Sequence, residues 1–187
     1  MKKVKFGLKN VHYAVVTETT DSTTGAVTST YGTVKAWPGA VNISFDPSGD
    51  DAPFYADDGV YYTIGNNSGY AGTFESALIP EDVLTSVMGQ DKDTNGVVTE
   101  TTDDVKKYIA LMFEFQMDES GRRFVFYRCS LARPSVAGQT KADSTDVQTE
   151  TVNITATPRP DDQIVKAYVD KDGEAYDDWY KDVYVTQ

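Results

Sequence analysis

Cysteine and histidine are almost missing: Cys129 and His12 are each the single residue of their kind in 187. One cysteine cannot close an internal disulfide, so the chain is not a disulfide scaffold. The pair leaves no ligand set for a zinc site of the usual kinds. Any Ser or Cys nucleophile would have to rely on His12 as its only imidazole base, yet His12 sits in strand-patterned sequence between Val11 and Tyr13. There is no Gly-x-Ser-x-Gly elbow, and Gly138-Gln139-Thr140-Lys141 lacks the order of a phosphate-binding loop. Basic charge is also short, with Lys+Arg 17 against Asp+Glu 29 and a net charge of −12, which opposes general binding to nucleic acid or anionic membrane. No stretch approaches the roughly 18 apolar residues of a membrane helix. The basic start Met1-Lys2-Lys3-Val4-Lys5-Phe6 is interrupted by Lys5 and then Lys9, so no secretion signal is expected, and synthesis in a reducing cytosol is. The sequons at Asn66 and Asn153 are then expected to stay unused.

Leucine is scarce as well, at 5 residues, while Val numbers 21, Thr 22 and Tyr 12. β-Branched and aromatic side chains suit a pleated surface, and leucine is the usual filler of helical cores, so the chain reads as mainly strand. Alternation supports this. Val4, Phe6 and Leu8 alternate with lysines, and Val11, Tyr13 and Val15 continue after an interruption at Asn10. A polar run over 17–24 reads as a hairpin tip, with strands resuming over 26–33 and 40–45 around the Pro38-Gly39 turn. Residues 46–53, with two prolines and three aspartates, read as loop. Phe54–Ile64 reads as a strand bulged or bent at Asp57-Asp58-Gly59, and Tyr70–Ile79 as another strand. One short helix is expected over 80–89, with Pro80 and two acids at its start, Val83, Leu84, Val87 and Met88 on one face, and Gly89 at its end. Ile109, Leu111, Phe113 and Phe115 mark a strand continuing through Met117, joined by residues 118–121 to a return strand over 122–131. A further strand runs over 147–157 with one apolar and one threonine face.

Two units follow: a β domain over 1–160 and an acidic C-terminal arm over 161–187. The arm carries eight acids and three lysines, whereas residues 1–13 carry four lysines and no acid. Tyr168, Tyr176, Trp179, Tyr180 and Tyr184 are too many aromatics for a disordered end, so the arm is expected to dock, with helix near 174–182.

Chemical motifs are weak. Asp91-Lys92-Asp93-Thr94-Asn95-Gly96 matches the first half of a calcium loop, but position twelve is Thr102 and the following segment is β-branched; an Asn-Gly turn at the tip of a β excursion explains the same residues and is the reading preferred. The acid pairs Asp57-Asp58, Asp103-Asp104, Asp161-Asp162 and Asp177-Asp178 fall where loops are expected, and neighbouring strand side chains point to opposite faces, so they do not suggest a glycosidase. Cys129 reads as a small core residue. No enzyme, cofactor or metal is expected.

Seven blocks in order give a resemblance. They are Val4–Ala14, Pro38–Val41, Phe54–Asp58, Asn67–Gly72, Ala77–Pro80, Arg133–Val136, and Gln148–Thr151 through Ala156–Pro160. Together, up to the Trp179-Tyr180 region, they resemble the major tail proteins, or tail tube proteins, of long-tailed phages infecting Gram-positive bacteria. The resemblance implies a β-sandwich or barrel-like tail-tube fold with one short flanking α-helix, long loops and an extended C-terminal arm. It implies hexameric rings whose sheets close into one barrel and stack into a tube around a tape-measure protein, bounded by tail terminator and tail-tip proteins. Such a tube belongs to the virion tail, is assembled in the host cytoplasm, has no membrane partner and conducts DNA without binding it specifically. The excess acid fits that last property, since like charge lets phosphates pass without sticking. Asp46, Asp50, Asp51, Asp57 and Asp58 are the expected lumen or ring-stacking residues. Lys2, Lys3, Lys5 and Lys9 are the expected basic side of a ring-to-ring contact, screened by salt. The tube of a contractile bacteriocin would share this chemistry. From another class, a monomeric β-sandwich binding glycan or calcium through Asp91–Asn95 and exposed tyrosines stays open.

Overall fold

A computed structural model describes residues 7–116, 120–140 and 147–185. In chain order these form β1 (Leu8–Thr20), β2 (Val27–Tyr31), β3 (Lys35–Ala36), β4 (Ala40–Ser48), β5 (Ala52–Ala56), β6 (Gly59–Ile64), β7 (Gly69–Ser76), α1 (Glu81–Ser86), β8 (Asp91–Lys92), β9 (Val98–Thr99), β10 (Ile109–Phe115), β11 (Arg123–Leu131), β12 (Glu150–Ala156) and β13 (Lys166–Val169). The architecture is mainly β with one helix, as composition implied.

Every pairing is antiparallel. The principal sheet runs β2-β1-β10-β11-β12-β7-β4 and does not close into a barrel. It branches at β11, where Arg123–Phe126 pair with β13 and Cys129–Leu131 pair with β12. The β12-β7-β4 part folds over β10 and β11, so that Phe45 stacks on Phe126 at 4.2 Å between ring centres. A sandwich-like first core results. Val11 and Tyr13 of β1, Ile109, Leu111 and Phe113 of β10, Cys129 and Leu131 of β11, Phe74 of β7, and Val152 and Ile154 of β12 all meet there. Trp37 and the helical Val83 close it.

The opposite face of β1, β10 and β11 is also covered. Ala14, Val16, Ala110, Met112, Val125 and Tyr127 form a second core under Trp179 and Val183 of the C-terminal segment. β10 is therefore buried on both faces.

Several elements differ from the sequence expectation. β4 continues through Asp46-Pro47-Ser48, leaving only residues 49–51 as the connection. Pro47 is tolerated because β4 ends the sheet and has one ladder to satisfy. The expected single strand over 54–64 is a hairpin: Asp57 and Asp58 have φ of 50° and 61°, the left-handed pair of a tight two-residue turn. The helix is shorter than expected, ending at Ser86, though Val83, Val87 and Met88 are buried as its pattern required. No helix forms over 174–182; the segment is a series of turns held by Trp179. Residues 91–99 form a small hairpin in which the Asp93 carboxylate accepts backbone N–H bonds from Asn95 and Val97 at 2.8 Å each. Met117 and residues 118–119 of the expected β10–β11 connection lie outside the described residues.

Candidate assembly surfaces

The fold presents two sheet ends, one polar face and one aromatic hairpin as candidate assembly surfaces, beside an anchored C-terminal segment. β2 and β4 are the ends of the sheet path and pair only with β1 and β7 among the described residues. Each leaves backbone groups facing away from the sheet, a surface that templates pairing with another chain, although on β2 the Ser29 N–H donates to Asp161 Oδ2 at 3.4 Å.

The outer face of β12-β7-β4 is a grid set by register. Thr151, Glu75 and Asn42 form one row; Asn153, Thr73 and Ser44 a second; Thr155, Ala71 and Asp46 a third. Their neighbours in sequence point inward to the first core, as alternation demands. The grid contains two acids, no base, Ala71 and otherwise small polar residues. The bias extends along the chain: no lysine or arginine occurs between Lys35 and Lys92.

The β5–β6 hairpin continues the β4–β7 ladder beyond Ser48 and Gly69. Phe54, Tyr55, Val60, Tyr61, Tyr62 and Ile64 are all more than half exposed, Tyr61 reaching 72%. No side chain of β5 or β6 belongs to either core cluster. An isolated two-stranded hairpin is marginal in water, and an aromatic one needs a covering surface. Asp57 and Asp58 form its turn, with Asp50 and Asp51 at its base, and all four carboxylates are exposed.

The C-terminal segment is clamped to the second core by charge as well as by Trp179. Glu114, 3% exposed on β10, accepts from Arg123 Nε at 2.7 Å, Asn10 Nδ2 at 2.7 Å and Lys9 Nζ at 3.0 Å. The Arg123 guanidinium lies over the Tyr176 ring at 3.7 Å and donates to its carbonyl oxygen. His12 packs on Tyr180 at 4.6 Å. Burial would push the Glu114 carboxyl up, but the bonds from Arg123, Lys9 and Asn10 outweigh it and hold the group below the usual carboxylate range. Asn10, the apparent interruption of β1, sits at a bulge with φ 52° that turns its amide onto Glu114. A second anchor is Arg159, 2% exposed, which pairs with Asp161 and Asp162 and lies over Tyr127.

Of the residues marked by sequence, Asp46 thus lies in the polar grid, and Asp50, Asp51, Asp57 and Asp58 lie on the hairpin. Lys9 is engaged within the chain by Glu114, while Lys2, Lys3 and Lys5 lie outside the described residues. Glu114, Arg123 and Arg159 escaped sequence reading. The one signal for Glu114 was an acid in an otherwise apolar run. Cys129 is fully buried, and burial pushes its thiol well up. Among the described residues no cluster of three or more His, Cys, Asp or Glu could hold a metal ion, and no helix is long and apolar enough to cross a membrane.

The fold is thus mainly β, with one short helix and an open principal sheet among the described residues. No family model and no curated protein matches the chain. Among solved structures, a chain of the extended PVC sheath–tube complex, an extracellular contractile injection system, is 12% identical with a TM-score of 0.47 over 90% of this chain and 93% of that one. A chain of the anti-feeding prophage tube-terminating cap is 10% identical, TM-score 0.47, over 89% and 93%. A chain of the six-fold-symmetrised anti-feeding prophage baseplate is 7% identical, TM-score 0.44, over 92% and 99%. All three are distant likenesses.

Proposed function

We propose that this chain is a structural virion protein, the subunit of a phage tail tube, assembling into stacked hexameric rings that conduct DNA during ejection. The observation that carries the reading is the open sheet. A strand-rich chain whose principal sheet path ends at β2 and β4 hides those ends most completely when copies join edge to edge and the ring closes. The seven sequence blocks support the same reading. The polar grid, free of cations and including Asp46, is the surface suited to a DNA-conducting lumen, because phosphates meet no cationic partner on it. Asp50, Asp51, Asp57 and Asp58 belong to the ring-stacking surface, and Lys2, Lys3, Lys5 and Lys9 supply basic charge at a ring-to-ring contact. In this role the protein is not an enzyme. Its partners are further copies of itself, a tape-measure protein and the tail terminator and tail-tip proteins, brought together in the host cytoplasm.

The alternative is a monomeric glycan- or calcium-binding module; against calcium, the Asp93 carboxylate that would ligate the ion is already engaged by its own backbone turn. Negative-stain electron microscopy of the purified chain over a concentration series tests the proposal. Six-fold rings or hollow tubes are expected.

A further inference from the structure

The register of β2 fixes which of its backbone groups face outward. Asp21 N–H donates to the Ala26 carbonyl and Gly32 N–H to the Val15 carbonyl, so the hydrogen-bonded pairs between β1 and β2 are Thr17–Thr30 and Thr19–Thr28. The alternate residues Val27, Ser29 and Tyr31 therefore turn their N–H and C=O groups away from β1. The central one is already met there: Ser29 N–H donates to Asp161 Oδ2 at 3.4 Å, from far along the chain. Asp161 is held in place by its own turn, in which Gln163 N–H donates to the Arg159 carbonyl and Arg159 N–H to the Ile164 carbonyl, each at 3.0 Å. Its Oδ1 accepts the Asp162 N–H at 3.1 Å and lies 3.5 Å from Arg159 Nε. Arg159 also donates to the Tyr31 hydroxyl at 3.3 Å, which ties the turn to β2 a second time. Ser29 Oγ is buried with no hydrogen-bond partner among the described residues, so the lone chain leaves this point of the edge incompletely bonded.

We propose that Asp161 is a guard on the β2 edge, which holds a lone chain back from pairing with the β4 edge of a second copy and yields when that pairing forms. Natural sheets restrain exposed edges with charge and with covering loops, and this turn supplies both. A strand that joins β2 must bring a carbonyl oxygen to Ser29 N–H. The carboxylate stands in that place and repels the incoming oxygen. Once displaced, Asp161 keeps Arg159 beside it, so opening the edge breaks one hydrogen bond without stranding a charge. The occupant is β4 because it is the other end of the sheet path, and because two β2 edges meeting would bring two Asp161 carboxylates together. Two different edges make a heterologous contact, which repeats from copy to copy. The inference rests on the edge-to-edge contact of the tube reading and names the residue that regulates it.

Two readouts on D161A test it: amide exchange of Ser29 by NMR at monomeric concentration, and self-association by sedimentation velocity. Exchange is expected to quicken and association to strengthen about tenfold, the scale of one exposed hydrogen bond to a charged group. D161N, which keeps the acceptor without the charge, is expected to fall between D161A and the parent, and it carries the test should D161A lower the urea midpoint. D103A removes an equal charge from an exposed turn and is expected to change neither readout. Ser29→Pro deletes the outward donor without removing a β1–β2 hydrogen bond, so D161A combined with S29P is expected to associate no better than S29P alone. Unchanged Ser29 exchange in D161A would overturn the guard. Faster exchange without stronger association, or a gain that persists beside S29P, would overturn it too; rings or tubes from the parent would then leave the tube reading standing. A gain that S29P abolishes, growing past the dimer but giving neither rings nor tubes, would sustain the guard and remove the tube reading. Association that stops at the dimer would overturn the pairing of β2 with β4.

Discussion

Single side chains decide how the C-terminal segment is held. Glu114 joins Lys9, Asn10 and Arg123, and Arg123 in turn carries Tyr176. Removing the carboxylate leaves a half-desolvated guanidinium without its partner, so E114A is expected to cost about 2–3 kcal/mol in urea unfolding, somewhat less than a fully buried pair because Lys9 is half exposed. The pH dependence has a definite sign. The folded-state Glu114 titrates below its unfolded value, so its contribution is fully present above that unfolded value, about 4.3, and is lost as pH falls through the folded one. Asp162 acts in the same direction, held low by bonds from Arg159 against the opposing effect of burial. Stability is therefore expected to fall on acidification below about pH 4, with E114Q showing a shallower fall than the parent. Glu114 illustrates what sequence conceals. The alternation Ile109-Leu111-Phe113-Phe115 assigns Ala110, Met112 and Glu114 to an outer face, and only the docked segment, contributed from sixty residues away, makes that face interior.

At the scale of elements, legibility depended on whether the signal was local. β1, β7, β10, β11 and β12 followed from alternation, because one buried face imposes a period of two. The β5–β6 turn did not, because Asp-Asp is not the usual pair for two successive left-handed residues, and Asp57-Asp58 read as a bulge instead. The helix expected over 174–182 does not form; Trp179 and Val183 reach the second core from turns. Trp179→Ala should release the segment at a cost of about 3–5 kcal/mol, checked by urea unfolding and by new proteolytic cleavage after residue 169. Gly72 is a second fixed point: a Cβ there would run into the carbonyl oxygen of Ser44, so Gly72→Ala is expected to disrupt the β4–β7 ladder and lower the melting temperature by several degrees. The hairpin should behave oppositely. Tyr55→Ser with Tyr61→Ser touches neither core and is expected to leave monomer stability within about 0.5 kcal/mol while reducing association, a combination that separates an interface element from a structural one.

For the whole molecule, the open sheet, the cation-free grid and the exposed aromatic hairpin all concern surfaces that one chain leaves incomplete. Sequence reading reached the strand-rich class and the apolar pattern of the strands. It could not reach the grid, because a face is assigned only once register is known and a one-residue slip inverts it. On the tube account, replacing Lys2, Lys3 and Lys5 together by Ser, with Lys9 kept for its pair with Glu114, should impair tube growth, read as shorter tubes in micrographs, with the parent showing the same trend at high salt. The most direct test of the central claim is electron microscopy of the purified chain over a concentration series, with mass photometry on the same samples. The account predicts six-fold rings or hollow stacked tubes that grow with concentration. A single 20.6 kDa species at every concentration, with neither rings nor tubes in the micrographs, would contradict it.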